Sequence, residues 1–162
     1  MIETSKFIEH FKEMNKISPI GCAIGLHIEY TKATFMFESY PSDWISFYAE
    51  NGLLLSDPTV AWGFQNDGSI DWSHLSKDDP EGVLTKASAY GLKFGATCAL
   101  ELNELRSIGS FARRDRPFRQ DEIDTLYNSV RSLCKLTADR SPLDQTIVSR
   151  LSDMGVKLSQ NL

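Results

Sequence analysis

The sequence predicts an α/β/α sandwich, in which a central antiparallel sheet of about five strands has helices on both faces. Strand-like segments occur in two pairs, and the turn inside each pair is too short for a crossover connection, so each pair is antiparallel. Helix-like segments precede, separate and follow the two pairs. Helices that cover both faces of one sheet form this type of sandwich.

The first half of the chain supplies a helix, a strand pair and two short helices. Residues 4–16 have the apolar spacing of a helix, and residues 22–28 alternate as a strand does. Residues 33–38 are apolar at most positions, which is typical of a strand covered on both faces. A short helix is predicted over 41–50. Residues 57–66 form the next helix, with Asp57 as its N-cap and Pro58 as its first residue.

The second half begins with a turn at 66–69 and a helix over 79–90. Residues 95–101 and 105–113 are predicted to be the second strand pair. The clearest helix covers 120–138, where six residues make a continuous apolar stripe: Ile123, Leu126, Tyr127, Val130, Leu133 and Leu136. Gly91 is a predicted helix C-cap with positive φ, and Gly95 lets the backbone come close at the start of a strand.

The chain divides into one globular domain, 1–138, and a linker with a helical tail, 139–162. The tail has an apolar stripe of Leu143, Ile147, Leu151 and Met154. It holds one helix, or a helix and a short remainder, and its charges balance. We therefore expect no complete DNA-binding domain in this segment.

The composition is that of an ordinary globular protein, with 41% hydrophobic and 24% charged residues. The net charge of -5 argues against DNA or an anionic membrane as a partner of the whole domain. No apolar stretch approaches the roughly 20 residues that span a bilayer. The three cysteines, Cys22, Cys98 and Cys134, are far apart and favour a reducing cytoplasm over a disulfide framework.

The sequence does not predict an enzyme or a metal site. The three histidines lack metal-ligand spacing, and neither a GxSxG nucleophile motif nor a P-loop is present. Cys98 lies in an apolar strand, which is typical of a core thiol rather than a nucleophile. The basic run 113–116 is interpreted as a solvated turn, not as a phosphate site.

A group of polar aromatic residues gives the strongest functional indication. Tyr40, Trp44 and Tyr48 stand four apart, Asp57 follows, and Trp72 lies further along the chain. Each one alone is consistent with core packing or, for Asp57, with a helix cap. Buried donors and a buried carboxylate need partners. These side chains therefore serve either each other or a polar ligand.

The pattern resembles the autoinducer-binding domain of LuxR-type quorum-sensing regulators over roughly residues 7–136. The matching elements are Tyr40-x3-Trp44-x3-Tyr48, Asp57-Pro58, Trp72 after an acidic residue, and Gly91-Leu-Lys-Phe-Gly95. The family binds N-acyl-homoserine lactones between the sheet and a layer of helices. The resemblance therefore implies a cytoplasmic sensor domain of a transcriptional regulator.

The resemblance also implies residue roles that fit the chemistry of such a ligand. Trp44 would donate to the lactone carbonyl, and Asp57 would accept from the amide N–H. Tyr40 would donate to the amide carbonyl. Ser110 could reach the acyl carbonyl or a 3-substituent, while Tyr48 and Trp72 would line the ring and the tail.

The sequence departs from the family pattern in places. Gly109 stands in a strand where a larger residue is usual, and would either enlarge the pocket or mark a β-bulge. Residues 96–100 lack the family's apolar-proline ending. A different acyl chain or a different small molecule therefore stays open as the ligand.

The apolar stripe of the 120–138 helix, with Tyr127, Leu133 and Leu136, is wider than one packed face needs. From this and from the resemblance we expect a homodimer, and no DNA binding by this chain alone. The alternative is a truncated homologue that pairs with a full-length regulator and inhibits it.

Overall fold

The computed structural model describes residues 2–162 and has a six-stranded antiparallel sheet at its centre. The strand order is β3-β4-β5-β1-β2-β6, and every neighbouring pair is antiparallel. The predicted fold class is therefore confirmed, with one strand more than expected. No helix in residues 2–162 is both long enough and apolar enough to cross a membrane.

The elements follow the predicted order closely. The strands are β1 (Cys22–Glu29), β2 (Lys32–Glu38), β3 (Gly68–Asp71), β4 (Phe94–Leu102), β5 (Leu105–Arg113) and β6 (Lys157–Gln160). The helices are α1 (Thr4–Ile17), α2 (Ser42–Glu50), α3 (Pro58–Gln65), α4 (Val83–Ala89), α5 (Gln120–Leu136) and α6 (Gln145–Asp153). Short 3-10 turns precede α3 and α4.

One face of the sheet is covered by α1, α5 and α6. Apolar residues of these helices pack on inward-facing strand residues such as Ile24, Phe35 and Phe111. Leu133 is completely buried, and Tyr127 and Leu136 pack against the same core. The expected exposed patch on the 120–138 helix is therefore wrong, because α1 and the core cover that stripe.

The other face of the sheet is covered by α3, which packs on β4 and β5, and by α2, α4 and the 3-10 turns. A second apolar cluster forms here from Tyr40, Trp44, Leu53, Trp72, Leu75, Val83, Ala87, Leu92 and Ala112. Because strand side chains alternate between faces, Ala112 of β5 belongs to this cluster and its neighbour Phe111 to the opposite core. We call this second group of residues, together with Tyr48 and Asp57, the aromatic cluster.

Three elements differ from the sequence prediction. The predicted turn at 66–69 leads directly into β3, which pairs with β4. The tail contains β6 as well as α6, and β6 pairs with β2. The helix expected from residue 79 begins only at Val83, because both carboxylate oxygens of Asp79 accept the N–H groups of Val83 and Leu84.

Large apolar side chains are exposed on the connection between α2 and α3 and on α3 itself. Leu55 is 94% exposed, Leu54 49% and Phe64 41%. This region lies beside the aromatic cluster, on the side opposite α5.

Candidate functional site

Helix α2 places two members of the aromatic cluster one turn apart. Trp44 and Tyr48 lie on the same side of the helix, and their ring centroids are 5.6 Å apart. Tyr90, which follows α4, brings its ring to 5.4 Å from Trp44. Trp44 is 5% exposed, and its backbone N–H donates to Asp43 Oδ1 at 2.9 Å. The indole is therefore buried by aromatic contacts that do not use its donor.

Asp57 caps helix α3 and also contacts the aromatic cluster. Its Oδ1 accepts the backbone N–H of Thr59 at 2.8 Å and the Thr59 hydroxyl at 2.7 Å. Its Oδ2 accepts the Tyr48 hydroxyl at 2.7 Å. Burial raises the pKa of the Asp57 carboxyl, and the hydrogen bonds from Tyr48, from Thr59 and from the Val60 backbone N–H oppose that rise. The predicted cap is confirmed.

The hydroxyl of Tyr40 is the exceptional group of the cluster. Tyr40 is 9% exposed, and its hydroxyl oxygen is buried without a hydrogen-bond partner in residues 2–162. Burial raises the pKa of Tyr40 far above its usual range, and the neighbouring Cys22, Asp57 and Tyr48 raise it further. A buried hydroxyl without a partner costs about 1–3 kcal/mol, so it requires an explanation.

Trp72 and Ser110 are connected through a residue that the sequence analysis did not identify. The Trp72 indole N–H donates to the Thr97 hydroxyl at 2.9 Å, and the Thr97 and Ser110 hydroxyl oxygens are 2.8 Å apart. The Trp72 ring lies flat on Gly95, where a Cβ would come within 2.0 Å of a ring atom. Gly95 therefore permits the close backbone approach that was predicted for it.

The two other glycines have structural roles. Gly91 has φ +95°, as predicted for a residue that follows a helix. A Cβ at Gly109 would meet Val130 of α5 at 3.0 Å, so this glycine faces α5 and not the aromatic cluster. The β4–β5 register is continuous there, and the irregularity in β1–β5 pairing lies between Gly25 and Ile28. Both interpretations of Gly109, a larger pocket and a bulge, are therefore wrong.

The aromatic cluster is packed rather than open. Two cavities lie elsewhere: one of about 10 Å³ between α1 and β1, and one of about 210 Å³ beside β3 and the start of α5. The larger is lined by Ser69, Ile70, Asp71, His74, Gln120 and Ile123. Neither cavity is lined by a residue of the aromatic cluster.

Other groups named from the sequence are in structural environments. In residues 2–162 the structure places no three potential metal-ligating side chains together. Arg113 pairs with Asp115 and Arg116 with Glu122, so the basic run is largely neutralised by its own neighbours. Cys98 is fully buried, and burial raises the pKa of its thiol to about 12.

The structure thus brings the six sequence-predicted residues to one face of the sheet. Tyr40, Trp44 and Trp72 share one core, Tyr48 joins it to Asp57, and Ser110 is reached through Thr97. Sequence reasoning missed Thr97, although the register of the β4–β5 hairpin, counted back from the two-residue turn at 103–104, places Thr97 opposite Ser110.

The sequence profile of the family described as "Autoinducer binding domain" matches residues 25–140. Among curated proteins, transcriptional activator protein SolR of Ralstonia nicotianae is 28% identical over 105 residues, which is 64% of this chain and 44% of SolR. SolR of Ralstonia solanacearum matches to the same extent. The chain thus spans less than half the length of these relatives.

Solved structures show the same fold at low sequence identity. CepR2 of Burkholderia cenocepacia, an N-acylhomoserine lactone dependent LuxR family transcription factor, has a TM-score of 0.58 and 16% identity; the match covers 92% of this chain and 98% of CepR2. SdiA of Escherichia coli has a TM-score of 0.59 and 21% identity over 96% of this chain and 64% of SdiA. A complex of SdiA with octanoyl-rac-glycerol matches with a TM-score of 0.56 and 20% identity.

Proposed function

The chain belongs to the autoinducer-binding domain family of LuxR-type regulators, and we propose that it senses an N-acyl-homoserine lactone bound within the aromatic cluster. Domains of this family are regulatory sensors of small molecules and not enzymes. The identity of the ligand and of the residues that hold it is inferred from the hydrogen-bonding groups of the cluster.

The polar groups of the cluster match the ligand in kind. The Tyr40 hydroxyl is a buried donor without an acceptor in residues 2–162, and the Trp44 indole N–H belongs to the same cluster. Asp57 is a buried acceptor that already binds the Tyr48 hydroxyl. An N-acyl-homoserine lactone offers two carbonyl acceptors and one amide N–H. We assign the lactone carbonyl to Trp44, the amide carbonyl to Tyr40 and the amide N–H to Asp57. The buried hydroxyl of Tyr40 is the observation that carries this proposal.

The apolar part of the site would receive the acyl tail. Tyr48, Trp72 and Tyr90 present ring surface around Trp44, and α2 and the turns before α4 enclose it. Because these rings are in contact, binding must separate them, and the affinity includes that cost. We place this activity in the cytoplasm, in line with three cysteines that are free and buried.

The test is direct. The 162-residue chain is purified, small molecules are extracted for mass spectrometry, and the emptied protein is titrated with N-acyl-homoserine lactones of increasing chain length. Saturable binding of at least one lactone, weakened in Trp44→Phe, would support the proposal. A chain that binds none of the series, up to the solubility limit of each lactone, would contradict it.

A second function is favoured by the packed state of the cluster. In this alternative the chain is an interaction module that pairs with a full-length regulator and inhibits it without needing a ligand. The exposed Leu54, Leu55 and Phe64 offer apolar surface for such pairing or for a homodimer. Sedimentation at micromolar concentration, with and without lactone, separates the two: association that is unaffected by any lactone would favour the alternative.

A further inference from the structure

Three side chains on the sheet side of the aromatic cluster form a continuous hydrogen-bonded chain. It runs from the Trp72 indole to the Thr97 hydroxyl and on to the Ser110 hydroxyl, at 2.9 and 2.8 Å. Thr97 and Ser110 are paired residues of β4 and β5, and Thr97 is completely buried. The geometry of this chain is therefore fixed by two neighbouring strands.

The direction of the hydrogen bonds follows from the donors available. An indole N–H can only donate, so the Thr97 oxygen accepts from Trp72. The Thr97 hydroxyl has its own proton, and the only acceptor it has among residues 2–162 is the Ser110 oxygen. Since a buried donor without an acceptor is costly, Thr97 donates to Ser110. The proton of the Ser110 hydroxyl must then point away from Thr97.

We propose that Thr97 is a positioning residue: it holds the Ser110 hydroxyl as a donor aimed at the bound ligand, so this subsite takes an acceptor such as a carbonyl oxygen. The inference deepens the proposed function and rests on it. Trp72 has already used its only donor on Thr97, so it gives the ligand ring surface alone. Chains of hydrogen bonds strengthen each member, which makes Ser110 a better donor than an isolated serine.

The first experiment tests the Thr97–Ser110 hydrogen bond without any ligand. Urea unfolding is measured for the wild type, Ser110→Ala, Thr97→Val and the double variant. If Thr97 donates to Ser110, Ser110→Ala leaves the Thr97 proton without an acceptor, and the unfolding equilibrium constant rises about tenfold. In the Thr97→Val background the same change should have almost no effect. An unchanged unfolding midpoint for Ser110→Ala in the wild-type background would overturn the proposal.

The second experiment tests the effect on binding, with N-octanoyl-homoserine lactone as the probe. Thr97→Val and Ser110→Ala should each weaken binding about five- to tenfold, and the double variant should lose no more than Ser110→Ala alone. Thr97→Ser keeps the hydroxyl and should restore affinity to near the wild-type value. Losses that multiply in the double variant, or a Thr97→Val protein that binds like the wild type, would contradict a positioning role.

A matched control comes from another buried threonine in a strand. The Thr34 hydroxyl, on β2 and outside the aromatic cluster, donates to the His27 carbonyl at 3.0 Å. Thr34→Val should lower stability and leave lactone affinity unchanged, so a loss of affinity in Thr97→Val cannot come from general loosening of the sheet. If the wild type binds no lactone, the proposed function fails, while the unfolding experiment still decides whether Thr97 and Ser110 are coupled.

Discussion

Replacing Tyr40 by Phe should move stability and ligand affinity in opposite directions. The Tyr40 hydroxyl is buried and has no partner in residues 2–162. Such a group costs about 1–3 kcal/mol, and removing it regains part of that amount, since the ring itself stays packed. We expect the unliganded domain to become more stable by about 1 kcal/mol, which raises Tm by about 2–4 °C for a chain of this size. Lactone affinity should fall about tenfold, because the amide carbonyl loses its donor.

Thermal unfolding and calorimetric titration of the same preparations measure both effects. Tyr30→Phe is the control, because Tyr30 is 92% exposed and its substitution should change neither value. Tyr48→Phe gives the contrast: it removes the 2.7 Å bond to Asp57 and should destabilise the unliganded domain. A Tyr40→Phe protein that is destabilised and binds lactone like the wild type would show that Tyr40 is an ordinary core residue.

Three further substitutions test the electrostatics and the donors. Asp57→Asn should lower lactone affinity about ten- to a hundredfold, since a charge-assisted bond is worth roughly 1.5–3 kcal/mol. Asp144→Asn, at the N-cap of α6, is its control in the titration and should leave affinity unchanged. Because burial raises the pKa of Asp57, the wild type should lose stability as pH rises through that pKa. Unfolding experiments at several pH values should show that Asp57→Asn abolishes this dependence. Trp44→Phe should weaken lactone binding to a similar degree as Asp57→Asn; equal affinity in titrations of wild type and variant would make Trp44 a core residue only. Glu122 has its pKa lowered to about 2, chiefly by its hydrogen bond with Arg116, so its stabilising effect is complete above about pH 4.5 and is lost as pH falls towards 2. Glu122→Gln should therefore lower Tm at pH 7 and have a much smaller effect near pH 2; an equal effect at both pH values would contradict this.

The elements with strong periodicity could be predicted from the sequence, and the short polar ones could not. The stripe of α5 and the apolar run of β2 are determined by burial, which leaves a clear pattern of side chains. β3 and β6 have four residues each and are edge strands, so their side chains are mostly polar or half-exposed. Their positions depend on pairing with β4 and β2, which sequence periodicity does not show.

The residues of the site could be predicted from the sequence, but the hydrogen bonds between them could not. Tyr40, Trp44 and Asp57 were identified because their types and spacing resemble a known pattern. That Tyr48 donates to Asp57, that Trp72 donates to Thr97 and that Tyr40 has no partner are consequences of packing across the sheet. Thr97 was missed because a single threonine in a strand is unremarkable until its opposite residue is known.

The aromatic cluster includes polar groups whose burial costs free energy. An unpartnered Tyr40 hydroxyl costs about 1–3 kcal/mol, which is a large share of the roughly 5–15 kcal/mol that stabilises a typical domain. The buried Asp57 carboxylate adds a further cost, since burial disfavours its charged form. A ligand present at about 100 times its Kd stabilises the folded state by about 2.7 kcal/mol, which is comparable to the cost of Tyr40. A ligand that supplies both the acceptor for Tyr40 and the donor for Asp57 would therefore offset the destabilisation that these two groups cause, which couples the stability of the domain to the presence of the signal.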